Sequence, residues 1–303
     1  MADKNILHMI TPLKHMSPFD VNMAVDAGYD AVITYTSVTL DEITGLVQDA
    51  IFSRPPKVGA RTAMFIAGKN AIAALDMLDR AKKALVPPFG ISFFADPAGS
   101  FTTAAAMVAC VEKVLKEKKQ RGLKGLKIAT FGATGVVGFS ASVIAALEGA
   151  DVTLVGYDGI KRVADAAQDI KARFGVDVRA ADGSDDAKKT EILKGAEAVL
   201  AAGRAGARIL TKEQLAAAPS LLVVADVNAV PPSGIEGLDV QQNGAEIALG
   251  PSHSVGPLGV GALAIGNIKY KTEFGLFQKM IGASKPVQLD FRDAFAFARE
   301  LHG

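Results

Sequence analysis

Three glycines, Gly132, Gly135 and Gly138, punctuate the stretch "FGATGVVG" at 131–138. Before them stands "KIATF", a run suited to a buried strand. After them comes "VVGFSASVIAALEGA", which carries helical periodicity. In that setting a glycine turn is a phosphate cradle. The backbone can approach a pyrophosphate closely, and the first N–H groups of the helix face the anion at the positive end of the helix dipole. The candidate dinucleotide loop is therefore Gly132, Ala133, Thr134, Gly135, Val136, Val137 and Gly138. Ala133 stands where the usual fingerprint has its middle glycine, and one extra methyl would hold a pyrophosphate slightly farther away. A glycine-rich turn without a ligand is the alternative.

The next strand, "DVTLVGYD", ends in Tyr157 and Asp158, twenty residues beyond Gly138. A carboxylate there suits the ribose hydroxyls of an adenosine and disfavours a 2′-phosphate. Asp158 is equally placed to cap the helix "GIKRVADAAQDIKARF". Lys161 and Arg162 follow at once, and either can turn to a phosphate, so the site reads as NAD-capable with NADP open. Further strand ends bring Ala202 and Gly203, small enough to admit a nicotinamide ribose, and the polar pair Asp226 and Asn228. Elsewhere, Asp96, Ser100, Thr102 and Thr103 follow the strand "GISFFA" and enter a helix. They are either a polar binding wall or, for Ser100 and Thr102, helix caps. His8, His15, His253 and His302 form no metal-ligand spacing. Only His253, in a glycine-rich segment, suits acid–base work or a substrate contact.

Apolar runs alternate with helical patterns along the whole chain. Strands are expected at 6–10, 31–36, 62–68 and 90–96, and the helix "NAIAALDMLDRAKKAL" presents a stripe of Ile72, Leu75, Met77, Leu78 and Ala81. A charged helix end and two glycines, Gly122 and Gly125, then open a fresh series: "KIATF", "DVTLVGYD", "VDVRA", "EAVLA", "LLVVADVNAV" and "EIALG". Six strands with intervening helices make a doubly wound nucleotide fold. After Gly250 a glycine-rich crossing leads to helices expected at 272–281 and 290–301, which return to the first domain. The expected fold is thus two α/β domains, the second of Rossmann type, with a cleft between them. Residues 1–121 plus 272–303 form one domain and 122–271 the other.

Taken together, "GSFTTAAA" (99–106), "GATGVVG" (132–138), "ADVNAVPPSGIEGLD" (225–239) and "GALAIGNIKYK" (261–271) resemble the methylene-tetrahydromethanopterin dehydrogenase family, in the same order and at similar spacing. The resemblance covers nearly the whole chain. It implies oxidation of the methylene group of a reduced pterin one-carbon carrier, tetrahydromethanopterin, with a hydride passing to NAD or NADP and no metal. It also implies a soluble homo-oligomer, a trimer or hexamer, with the first domain serving pterin binding and oligomerisation. The family's active-site lysine falls on Lys269, and the phenylalanine associated with pterin falls on Phe19, next to Asp20. Tyr35 offers a second flat surface for the ring. Where NADP-specific relatives have Arg-Lys at the end of the second strand, this chain has Tyr157-Asp158, which favours NAD.

The methylene carbon lies between two nitrogens, so its oxidation needs alignment with the nicotinamide more than proton transfer. The product is a cation. Lys269 is therefore expected to stand away from that carbon or to be neutralised by desolvation. The pterin portion of tetrahydrofolate is so similar that a methylene-tetrahydrofolate dehydrogenase is the alternative. An amino- or hydroxy-acid dehydrogenase using Lys269 or His253, and a non-catalytic dinucleotide sensor, are the remaining readings.

Bulk properties exclude other classes. With 33 Lys+Arg against 32 Asp+Glu, the net charge of +1 gives no field to gather nucleic acid or an anionic membrane. The single cysteine, Cys110, lies in a helical pattern and reads as a buried thiol in a reducing compartment. No signal-peptide pattern opens the chain, and the expected location is the cytoplasm.

Overall fold

A computed structural model of the chain describes residues 3–250 and 256–302. The chain divides into two compact units, Met1–Thr102 with Tyr270–Phe297, and Thr103–Lys269 with Ala298–Gly303.

In the first unit the chain runs through β1 (Ile6–Ile10), α1 (Pro18–Ala27), β2 (Ala31–Tyr35), α2 (Ile43–Phe52), β3 (Thr62–Ile66), α3 (Ala71–Lys83) and β4 (Ser92–Ala95). The helix α4 (Ser100–Lys119) follows, and the division between units falls within it. With the late strand Gln288–Leu289, β1 to β4 form a five-stranded parallel sheet in which β3 and β1 are neighbours and β2 is an edge. Every residue of β3 and β4 is buried, as expected of parallel strands covered on both faces. Phe277, from the C-terminal part of the chain, packs into the same core. Its ring centroid lies 5.5 Å from those of Phe65 and Phe94, and 6.0 Å from that of Tyr29.

The second unit contains β5 (Lys127–Phe131), α5 (Val136–Leu147), β6 (Asp151–Gly156), α6 (Lys161–Phe174), β7 (Arg179–Asp182), α7 (Asp186–Lys194), β8 (Ala198–Ala201), α8 (Lys212–Ala216), β9 (Val223–Asp226), β10 (Asn243–Glu246) and β11 (Leu258–Val260). The seven strands lie in the order β10-β11-β9-β8-β5-β6-β7. All neighbours are parallel except β10, which runs antiparallel to β11. The chain ends with α9 (Ala262–Gly282), β12 (Gln288–Leu289) and α10 (Phe291–Glu300).

Two expectations are corrected. The sixth parallel strand is β11, not "EIALG" at 246–250. The residues leading into that segment form the antiparallel edge β10. Leu258–Val260 is only three residues long and has a glycine at its centre, so its strand character comes from pairing with β9 rather than from its own propensity. The C-terminal helix also begins at Ala262, ten residues earlier than expected, because the exposed Gly266 is accommodated within it.

The segment Pro97–Lys119 is long and apolar enough to cross a membrane by length and composition alone, yet 78% of its most apolar window is buried inside the protein. Cys110 sits on it, with its Sγ 3.6 Å from His302 Nε2, and burial pushes its thiol up to about 12. Replacing Phe277 by alanine removes the ring shared by Phe65, Phe94 and Tyr29. Urea unfolding is expected to record a loss of roughly 3–5 kcal/mol.

Candidate functional site

Ligands in open α/β sheets bind beyond the carboxyl ends of the strands, where the strand order reverses. In the second unit that point lies between β5 and β8, because β6 and β7 are added on one side and β8 on the other. A cavity of about 490 Å³ opens there. Phe131, Gly132, Thr134 and Gly135 line it from the end of β5 and the glycine turn, Val155 from β6 and Tyr157 from just beyond it, and Ala202, Gly203, Arg204 and Arg208 from beyond β8.

The turn is built by steric necessity. Gly132 adopts φ +76°, and a Cβ there would lie 2.3 Å from the carbonyl oxygen of Ala202. Gly138 packs directly on the turn, where a Cβ would come within 2.4 Å of Gly132 O. Gly135 N donates to Gly132 O at 3.0 Å and stands at the N-cap of α5, where no side chain caps the helix. The first-turn N–H groups, including those of Val136, Val137 and Gly138, have no partner within the helix and suit an anion. Ala133 is buried and absent from the cavity lining, so its methyl does not narrow the space. The uncapped helix start, the absence of Cβ atoms at the crossing and the cavity beside them together fit a dinucleotide.

Arg162 organises the far end. It donates to Asp158 Oδ2 at 3.1 Å, to Tyr157 Oη at 3.2 Å and to Thr134 Oγ1 at 3.3 Å, and its guanidinium lies 5.7 Å from the centre of the Tyr157 ring. The hydrogen bond to Asp158, and then that to Tyr157, raise its pKa further. Lys161 instead donates to Asp165 at 3.1 Å, one turn along its own helix. Asp158 does not cap α6: the N-cap is Ile160, with no side-chain bond. That alternative is corrected.

Asp226 and Asn228 lie inside the protein and shape loops. Asp226 accepts from the backbone N–H groups of Asn228 (2.9 Å), Gly234 (2.7 Å) and Ile235 (3.2 Å). Burial raises its pKa while these donors oppose the shift. Asn228 accepts from Gly206 N and Val230 N and donates to Pro232 O, fixing the loop that carries Arg204 and Arg208. Neither arginine stood out in the sequence, nor did Lys189 or Gly183 on the same lining. They meet because the segments after β7 and β8 reach one cavity from either side of the ends of β5 and β6. The doublet "AAGRAGAR" directly after a strand was the available signal.

In the first unit the reversal falls between β1 and β3, since β2 and β3 flank β1 on opposite sides. A cavity of about 360 Å³ lies there. Its lining includes Thr11 and the residues from Leu13 to Pro18, together with Asp20, Ala67, Gly68, Lys69 and Ala98. Ser17 caps α1, accepting from Asp20 N at 3.4 Å. Asp20 is 2% exposed, whereas its neighbour Phe19 is 48% exposed. Ala98 holds a left-handed conformation, φ 55°, which only an over-determined turn imposes on a residue with a side chain.

Several other candidates are placed differently. Asp96 and Thr102 are both 0% exposed. Asp96 accepts from Phe101 N (2.8 Å), Thr102 N (3.3 Å) and Thr102 Oγ1 (2.6 Å), closing the start of α4. Ser100 and Thr103 are half-buried on the same turn. Tyr35 pairs with His8, Oη to Nδ1 3.0 Å, in a separate cavity of about 220 Å³ against α2. That cavity shares no lining residue with the one beside Asp20. Burial lowers the pKa of His8. Lys269 is half-buried on α9, one turn before the buried Glu273, and Lys271 is exposed. His253 lies outside the described residues.

The fold and its two strand-order reversals define a two-domain α/β protein with a Rossmann-type dinucleotide fold. Solved structures agree in fold. An NAD-dependent malic enzyme from Thermotoga maritima matches with a TM-score of 0.56 at 14% identity, over 97% of this chain and 84% of that one. A shikimate 5-dehydrogenase from Listeria monocytogenes, solved with shikimate and NAD, matches with a TM-score of 0.50 at 16% identity, over 90% and 91%. The model for the N-terminal part of methylene-tetrahydromethanopterin dehydrogenase matches residues 18–98. The NAD(P)-dependent methylenetetrahydromethanopterin dehydrogenase of Methylorubrum extorquens is 55% identical over 300 residues, 99% of each chain. The bifunctional protein MdtA of the same organism is 35% identical over 94% of each. The chain belongs to the methylene-tetrahydromethanopterin dehydrogenase family.

Gly132→Ala forces a methyl into the Ala202 carbonyl and strains a left-handed residue. NADH binding, followed by nucleotide fluorescence, is expected to weaken by about tenfold or more, and stability to fall by about 1–3 kcal/mol.

Proposed function

We propose that the protein oxidises methylene-tetrahydromethanopterin with NAD(P)+, giving methenyl-tetrahydromethanopterin and NAD(P)H. The full-length likeness to the Methylorubrum extorquens enzyme carries this reading, and the glycine turn with its uncapped helix supports it. Bound in the cavity of the second unit, the nicotinamide nucleotide supplies the hydride acceptor. The rest of the task falls to this chain's residues.

The β5–α5 turn holds the pyrophosphate through backbone N–H groups, and Ala202 and Gly203 leave room for the nicotinamide ribose. Asp158 takes a ribose hydroxyl of NAD. Arg162, already bonded to Thr134 beside the loop, is the cation that meets a 2′-phosphate when NADP binds. Asp226 and Asn228 serve by fixing loops. On the pterin side, Phe19 gives a flat face, Asp20 a carboxylate for the amino-substituted edge of the ring, and Ser100 and Thr103 hydroxyls. Asp96 and Thr102 hold that turn in place, and Tyr35 braces the sheet edge. His253 and Lys269 contact substrate. Lys269 orients the ring through a group other than the reacting carbon, because a fixed cation beside that carbon would oppose formation of the cationic product.

Residues 1–121 with 272–303 form the pterin-binding and oligomerisation domain, and 122–271 the nucleotide domain. The protein works in the cytoplasm as a homo-oligomer, a trimer or hexamer.

The direct test supplies methylene-tetrahydromethanopterin with NAD or NADP and follows reduced-nicotinamide absorbance. Reduction is expected with at least one nucleotide. None, from protein shown to be folded, rejects the proposal. Lys269→Ala is expected to lower kcat about a hundredfold, a loss of about 2.7 kcal/mol in transition-state stabilisation. Asp158→Ala is expected to weaken NAD more than NADP, and Arg162→Ala the reverse. Equal losses for both nucleotides in both variants would refute those roles.

A further inference from the structure

The cavity between β1 and β3 carries more positive charge than a neutral pterin ring calls for. Lys14, His15 and Lys69 lie on its lining, and Asp20 is the single carboxylate there. Among the described residues none of the three basic groups takes part in an ion pair. Several lysines elsewhere take a carboxylate partner: Lys161 with Asp165, Lys171 with Asp177, Lys188 with Asp182 and Lys194 with Glu191. In a chain of net charge +1, two unpaired lysines around one concavity, with His15 beside them as a further hydrogen-bonding group, give it a local positive field.

The backbone fixes their positions. The loop holding Lys14 and His15 is pinned on one side, where Thr11 N donates to Tyr35 O at 2.9 Å and Ser37 N donates to Leu13 O at 2.8 Å. On the other side Ser17 caps α1. Lys69 stands between Gly68, at φ +137°, and Asn70, whose Oδ1 caps α3 by accepting from Ala73 N at 2.9 Å. A Cβ on Gly68 would meet Pro12 at 3.5 Å, so the two loops lie close together.

The two lysines cannot serve the reacting centre. Positive charge develops on the ring as the hydride leaves, and like charges nearby would raise the barrier. The charge they balance must sit on a part of the substrate that does not react. We propose that Lys14, His15 and Lys69 form a subsite for an anionic group, phosphate or carboxylate, carried by the one-carbon carrier outside its ring. This deepens the proposed function and rests on it. Binding energy gathered there comes from the non-reacting part of the substrate and serves to hold the ring in register.

The test compares the wild-type protein with the Lys14→Ala/Lys69→Ala and Lys14→Arg/Lys69→Arg double variants. Calorimetry measures the affinity of tetrahydromethanopterin, and of a truncated tetrahydropterin without the charged extension. The alanine pair is expected to bind the intact carrier about tenfold or more weakly, with a flatter salt dependence, while the arginine pair retains affinity. The truncated pterin is expected to bind wild type and alanine pair alike, and inorganic phosphate to compete with the intact carrier. Unchanged affinity of the alanine pair for the intact carrier overturns the subsite. So does an equal loss for the truncated pterin, or competition by phosphate against NADH alone. Because binding is read without turnover, failure of the subsite is distinguishable from failure of the oxidation assay.

Discussion

No side chain fits between Gly132 and Ala202. The backbone of the glycine turn approaches the residue after β8 so closely that even a methyl would overlap its carbonyl oxygen. That contact lies where the strand order of the second sheet reverses, and the rest of the nucleotide site hangs from it. A left-handed Gly132 folds the turn back, Gly135 then starts α5 without a side-chain cap, and Gly138 lets the helix sit against the turn. The positive end of α5 is thereby aimed into the cavity. Arg162 ties the same loop to the end of β6 through Thr134, so the glycine turn and the end of β6 share one hydrogen-bonded frame.

The first unit repeats the same topology with a different lining. Its cavity lies beyond β1 and β3, again where the order reverses, and a strained Ala98 stands on its lining. Here the lining mixes the buried carboxylate of Asp20 with Lys14, His15 and Lys69, and the exposed Phe19 is Asp20's neighbour in the chain. Hydride loss from a carbon between two nitrogens asks little of acid–base groups and much of alignment.

The α/β alternation, the glycine loop and both switch-point strands were legible because local pattern and tertiary role coincide there. "KIATF" is apolar, short and followed by a helix that repeats every turn, and it became β5. Where pairing rather than propensity makes the element, local pattern does not reveal it. Leu258–Val260 holds a glycine and gains strand form from β9, and Gly266 interrupts a helical pattern without ending the helix. Polar residues showed a similar divide. Asp96 followed by Thr102 has the appearance of a binding wall, but in a buried turn their first demand is to satisfy the N–H groups of α4. Arg204, Arg208 and Lys189 were invisible as a group, since only the fold carries the segments after β7 and β8 to one cavity across the ends of β5 and β6. Lys14 and Lys69, 55 positions apart in sequence, were hidden for the same reason.

In the proposed reaction the hydride passes directly from the carrier's methylene carbon to the nicotinamide, without a proton-exchanging group between them. Methylene-tetrahydromethanopterin deuterated at that carbon, turned over in ordinary water, tests this directly. The expected result is deuterium on C4 of the reduced nicotinamide, on one face only, with none lost to solvent. Deuterium in the water, or an unlabelled nicotinamide, would contradict the account.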